Sequence, residues 1–270
     1  MVTLKILRGT SSFYILFFLA FSFPFFFSFL SIFFKNLDIQ DASAWSPAGA
    51  TWYGEPNGAG STGGACGYQN AVEQPPFSAL ISAGGPSLFK SGMGCGACYQ
   101  VRCRANALCS GNPVTVVITD ECAGCVSEPV HFDLSGTAFG AMAISGRATE
   151  LRNVGVLQIE YRRVGCNYPG YSVALRVATG SNPYYFAVVA LYENGDGDIS
   201  AMYLREMSGS GGWLPMQHSW GATWKLDSRY PLQAPFSIRL TGSSGRTLVA
   251  NNVIPAGWEA GKTYWSTVNF

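Results

Sequence analysis

All eight cysteines lie between Cys66 and Cys166, at Cys66, Cys95, Cys98, Cys103, Cys109, Cys122, Cys125 and Cys166. No other feature limits the fold as tightly. An even number of thiols in an exported chain reads as a disulfide set, with many pairings open. Zinc is the rival reading, because Cys95-x-x-Cys98 and Cys122-x-x-Cys125 have ligand-like spacing. An oxidising compartment favours pairing over thiolate ligation. The census also marks a boundary. Residues 45–166 are rich in Gly and Cys, Asn167-Tyr168-Pro169-Gly170 forms a turn-rich linker, and 171–270 hold no cysteine but five of the seven tryptophans. Two domains follow.

Export is read from the amino terminus. Lys5 and Arg8 precede an almost wholly apolar run from Phe13 to Phe34, and Ala42-Ser43-Ala44 has the small-x-small form of a cleavage site. Residues 1–44 therefore read as a signal peptide cut near Ala44–Trp45, and the protein as secreted. The run is long enough to span a bilayer, so an uncleaved membrane anchor is the alternative. Pro24 weighs against a long membrane helix. Removing this segment takes away Lys5, Arg8 and Lys35 with Asp38 and Asp41, and leaves a neutral chain.

Charged residues are only 12% of the chain, while glycines number 32. Low charge with many turns and aromatics suggests a β-rich protein whose partner is neutral and polar. A net charge of +1 provides no footprint for nucleic acid. No metal or cofactor motif stands out. The Gly/Ser run from Gly58 to Gly64 lacks the Lys-Ser/Thr ending of a nucleotide loop. Asn194-Gly195-Asp196-Gly197-Asp198 lacks the distal Glu of a calcium loop and reads as a hairpin turn.

The chemistry concentrates between Thr119-Asp120 and His131-Phe132-Asp133-Leu134-Ser135. Val114–Thr119 is β-branched and reads as a strand that ends at Asp120. In the second piece, an extended backbone sets His131 and Asp133 on one face and Phe132 and Leu134 on the other. Asp133 is thus a carboxyl anchored by apolar neighbours, and burial raises an acid's pKa. Two acids facing a cleft suit glycosidic chemistry, one as acid and one as base or nucleophile. The plainer alternative is that Asp120 closes a strand and Asp133 caps the next helix.

Other strands are expected at Tyr99–Arg102, Val130–Asp133 and Val154–Tyr161, with a helix over 136–145. A barrel of short strands fits this half. The second half predicts strands at 171–178, 184–192, 199–206, 235–241 and 247–250, hence a β-sandwich.

Thr51-Trp52-Tyr53-Gly54, Gly64-Ala65-Cys66-Gly67-Tyr68, Gly94-Cys95-Gly96-Ala97-Cys98 and His131-Phe132-Asp133-Leu134-Ser135 occur in that order. With Ser219-Trp220-Gly221-Ala222-Thr223-Trp224 and Ile254-Pro255-Ala256-Gly257-Trp258, they make the chain resemble an expansin, best the β-expansin branch. The resemblance spans 45–270. It implies a mainly β fold: a six-stranded double-psi β-barrel over 45–166, related to family 45 endoglucanases, then an immunoglobulin-like β-sandwich over 171–270. It implies a secreted plant wall protein, a monomer, that loosens contacts among cellulose and matrix glycans such as xylan or xyloglucan, without cutting them and without a cofactor. By matching position, the groove would hold Thr51, Trp52, Tyr53, Asp120, His131 and Asp133. Polysaccharide would lie on Trp52, Tyr53, Tyr185 and Trp220. The family's disulfides would map to Cys66–Cys95, Cys98–Cys166 and Cys103–Cys109, with a local Cys122–Cys125 bridge added.

Asp133 matches the proton-donating acid of the related glucanases. Their base follows the Tyr of the opening strand, where this chain has Gly54. Glu55 is adjacent, but a one-residue shift in a strand turns a side chain to the other face. Weak endo-glucanase or xylanase activity, with Glu55 or Asp120 as base, is the second reading; a carbohydrate-binding protein with an idle groove is the third. Trp224, Trp258 and Trp265 are expected in the core, and Trp213 fits either core or surface.

Overall fold

The computed structural model describes residues 44–207 and 212–270. The apolar leader, and its reading as a signal peptide, lie outside the described residues.

Six strands close a barrel in the order β1-β5-β2-β4-β3-β6. They are β1 (Ser46–Tyr53), β2 (Ile81–Gly84), β3 (Cys98–Cys103), β4 (Val114–Glu121), β5 (His131–Ser135) and β6 (Leu157–Arg163). β1 pairs with β5 and β2 with β4 in parallel; the remaining pairings are antiparallel. Parallel neighbours cannot be joined by a tight hairpin, so the chain between them makes crossovers. Those crossovers carry α1 (Pro86–Phe89), while α2 (Gly136–Ala141) and α3 (Ala148–Val154) lie between β5 and β6. The Ser135 hydroxyl, not Asp133, caps α2 by accepting from the Ala138 amide. The strand expected over 154–161 starts only at Leu157. Its first residues belong to α3, which ends at Gly155 with φ of 77°.

The second half is a two-sheet sandwich. One sheet has the order β10-β9-β13-β14, the other β11-β12-β8-β7-β15. The strands are β7 (Ala174–Val177), β8 (Tyr185–Leu191), β9 (Ile199–Glu206), β10 (Leu214–Pro215), β11 (Gln217–Trp220), β12 (Thr223–Asp227), β13 (Phe236–Gly242), β14 (Thr247–Ile254) and β15 (Thr263–Trp265). Phe186, Val188, Met202, Leu204, Phe236 and Ile238 face inward and are sealed from solvent. Alternation along these strands puts one residue in two into that core.

Two expectations need correction. Asn194–Asp198 is not a hairpin turn, because β8 and β9 lie in different sheets. It is a crossover held by its carboxylates: Asp196 accepts from the Ser244 amide at 2.9 Å, and Asp198 pairs with Arg163 at 2.9 Å. Trp265 is not in the core. It sits on edge strand β15, 53% exposed, with one ring face stacked on Tyr192 at 5.6 Å. Trp224 is buried, Trp258 packs edge-on against Phe186, and Trp213 lies under the guanidinium groups of Arg205 and Arg239.

The barrel and sandwich form one compact unit, Trp45–Phe270. Ala174, Val189 and Leu191, on the outer face of the five-stranded sheet, join the barrel's apolar cluster with Tyr68, Phe77 and Tyr168. Arg176 crosses the junction and donates to the carbonyls of Gly67 and Tyr68. All eight cysteines are disulfide-bonded, as Cys66–Cys95, Cys98–Cys166, Cys103–Cys109 and Cys122–Cys125. Their sulfurs are therefore not zinc ligands.

Candidate functional site

β1 and β5 run parallel with Thr51 opposite Asp133 and Tyr53 opposite Ser135. Parallel partners in register share a face, so Gly49, Thr51, His131 and Asp133 project together. The Thr51 hydroxyl donates to Asp133 Oδ1 at 2.6 Å and meets His131 Nε2 at 3.0 Å. Burial pushes the Asp133 carboxyl above its ordinary value and the charge of Asp120 adds to this; the Thr51 bond and His131 work the other way, and the net shift is upward. Such a carboxyl holds its proton to a higher pH than an exposed aspartate does.

Asp120 occupies the end of β4, and its oxygens are committed. Oδ1 accepts from the Ala65 amide at 2.7 Å and the Glu121 amide at 2.8 Å, while Oδ2 faces the Tyr53 hydroxyl at 3.4 Å. Burial and the two nearby acids raise the Tyr53 hydroxyl well above the usual phenol range, so it stays a donor. Glycines make this packing feasible. A Cβ on Gly60 would run into the Tyr53 ring, and one on Gly64 would lie 3.1 Å from Asp120 Cγ. The Gly/Ser run is therefore a wrap around Tyr53 and Asp120.

Thr51, Tyr53, Asp120, His131 and Asp133 are thus brought together. Trp52 is turned to the opposite face of β1, half-buried, where its indole N–H donates to the Arg152 carbonyl at 3.0 Å. Glu55 lies in the exposed turn beyond Gly54. The Ala222 amide donates to the Cys66 carbonyl at 3.0 Å, and Trp220 rests on Gly67, where a Cβ would sit 2.8 Å from the ring. The loop that holds Asp120 through Ala65 therefore also supports Trp220. Trp220 is 55% exposed. It pairs with Thr223 across β11–β12, and Asp227 pairs with Tyr185 across β12–β8. Cross-strand partners share a face, so Trp220 and Tyr185 stand on the outer side of the five-stranded sheet, roughly 13 Å apart along the strand direction.

Sequence reasoning missed Glu128. Its Oε2 faces His131 Nδ1 at 3.5 Å, directly behind the groove. An acid three residues before a histidine, with Pro129 between them, forms no recognisable motif; only the barrel's closure exposes the pairing.

The fold and groove together define a class: a double-psi barrel of the type shared with family 45 glycoside hydrolases, fused to an immunoglobulin-like sandwich. Residues 173–255 match the family of the expansin C-terminal domain, and residues 81–161 match the double-psi barrel family described as lytic transglycolase. The chain is 64% identical to expansin-B2 of Arabidopsis thaliana over 84% of each chain. It is 57% identical to expansin-B11 of Oryza sativa subsp. japonica, over 84% of this chain and 79% of that one. A Clavibacter michiganensis expansin crystallised with cellohexaose shares the fold, with a TM-score of 0.63 at 23% identity over 84% of this chain and 98% of the other. The chain belongs to the expansin family, in its expansin-B branch. It is a cell-wall-loosening protein of a family that acts without hydrolysing polysaccharide.

Proposed function

We propose that the groove grips one glucan or matrix-glycan chain through Asp133 and Tyr53, while Tyr185 and Trp220 hold the same chain against the sandwich. Binding at several points along one chain offsets the cost of drawing it away from its neighbours. Aromatic faces supply large contact area against the C–H faces of sugar rings, with a polar edge left free. The protein acts after secretion into the wall, as a monomer and best at acid pH, the direction in which the raised Asp133 carboxyl gains its proton.

The observation that carries this reading is the commitment of Asp120. Hydrolysis with inversion needs a second carboxylate free to activate water. Asp120 already accepts from two amides and faces a phenol, which supports gripping over cutting. The cellohexaose bound by the Clavibacter relative supports a β-glucan as one partner. Xylan and xyloglucan are the matrix candidates. The test pairs two assays on purified protein: creep of heat-killed walls at acid and neutral pH, and reducing-sugar release from cellulose and xylan. Creep without sugar release is expected. Steady acid-dependent sugar release overturns the reading in favour of a glucanase.

A further inference from the structure

Behind Asp133, four polar groups stand in single file. Glu128 comes from the loop between β4 and β5, which the Cys122–Cys125 disulfide tethers at its start. Glu128 Oε2 and His131 Nδ1 face each other at 3.5 Å, both buried, and neither has a hydrogen-bond partner elsewhere. Gln158 on β6 donates to the other Glu128 oxygen at 2.7 Å. His131 Nε2 then meets Thr51 Oγ1, and Thr51 meets Asp133 Oδ1. Gly49 on β1 leaves room for the pair: a Cβ there would overlap Glu128 Oε2 and lie 2.7 Å from His131 Nδ1.

Counting protons gives this file a logic. The Thr51 hydroxyl has one proton to give and two neighbours able to take it. When Asp133 takes it, His131 Nε2 must bring its own proton to Thr51, and Nδ1 must bring another to Glu128. When Nε2 takes it, Asp133 must hold a proton on Oδ1, and Nδ1–H still faces Glu128. The two arrangements contain the same number of protons and differ by a shift of one link in each of two bonds. Remove the shared proton, and every arrangement has one link where two lone pairs meet. An unmade bond between buried groups is costly.

We propose that Glu128 is a positioning residue for the groove acid: it fixes a proton on His131 Nδ1 and so makes His131, Thr51 and Asp133 a relay that shares one proton. This rests on Asp133 being the groove's contact with glycan; Glu128 itself stays behind the groove. Other titratable groups act on the same site. Asp120 on β4 adds negative charge that favours keeping the proton, and Tyr53 on β1 faces both acids. His131 acts the other way on Asp133. Glu128 supplies negative charge on the far side of the ring, which favours the proton-loaded relay.

The test is Glu128→Gln, which keeps the shape and the position beside Gln158 but removes the charge. Two readouts are taken across pH: the 15N shifts of the His131 ring by NMR, and wall creep. In the variant, the proton-loaded ring signal and wall creep should both be lost at a lower pH than in the parent. Gln158→Leu, at the exposed rim, frees Glu128 and should move both midpoints the same way by less; it serves if the first variant folds poorly. Unchanged midpoints in a folded variant overturn the proposal. A shifted ring titration with an unchanged creep profile upholds the relay and overturns Asp133 as the loosening contact.

Discussion

Thr51 and Asp133, on two parallel strands in register, are joined by a 2.6 Å hydrogen bond. That bond favours the ionised carboxylate while burial opposes it, and burial prevails. Thr51→Val keeps the volume and removes the donor. The Asp133 carboxyl should then titrate at a higher pH than in the parent, because the charged form has lost its partner. Creep should persist toward neutrality, with its alkaline half-maximum moved up. The change also strips His131 Nε2 of its partner and should cost about 1–3 kcal/mol of stability. A 13C titration of the Asp133 carboxyl and a urea unfolding curve check both effects.

Asp133→Asn separates the acid's chemistry from its scaffolding. The carboxamide oxygen can still accept from Thr51, so β1 and β5 should stay in register and the melting temperature should change little. The side chain can no longer take or release a proton in the working range. Wall extension should drop to background, while retention on cellulose stays near that of the parent, since Tyr185 and Trp220 are untouched. Unaltered extension would remove Asp133 from the mechanism.

The groove strand was readable because His131-Phe132-Asp133-Leu134-Ser135 alternates in chemistry as it does in space, with Phe132 and Leu134 sealed in the barrel. β2 gave no such signal. Ile81, Ser82, Ala83 and Gly84 are all buried, so the strand has no polar face to mark its period. β11 and β12 were hidden by shortness and by the register shift between His218 and Trp220. Trp265 looked like core because indole rings usually are. Its edge position on β15 depends on a sheet order that no local pattern reveals. The Glu128–His131 pairing was illegible for the same reason: it is made by closure of the barrel around Gly49.

Trp220 offers the clearest test of the sandwich surface. One side of its ring rests on Gly67, and 55% of the residue is exposed. Trp220→Ala should weaken retention on cellulose by about 1–3 kcal/mol, or roughly 5- to 150-fold, if the ring lies under the sugar chain. The sandwich core does not use this side chain, so the melting temperature should move little. A pull-down with equal retention would reduce Trp220 to a spacer between barrel and sandwich. Trp224→Ala, by contrast, opens the core and should destabilise the fold by about 3–5 kcal/mol.

Glu193 gives the barrel–sandwich junction its own pH dependence. The residue is 3% exposed, just after β8, and Asp198 lies close enough to add like charge. Burial pushes its carboxyl from 4.5 up to about 8, against a hydrogen bond to its own backbone amide and with a smaller push from Asp198. A folded-state pKa above the unfolded one means that the native protein binds the extra proton between those two values. Stability therefore falls as pH rises from 4.5 toward 8 and is level beyond it. Between pH 5 and 7.5 this one group should cost the parent about 2–3 kcal/mol. Glu193→Gln carries no such proton, so its urea unfolding free energy should change far less over the same interval. An equally steep decline in the variant would move the pH dependence to another group. The junction that joins barrel and sandwich is thus firmest at acid pH, the condition proposed above for wall loosening.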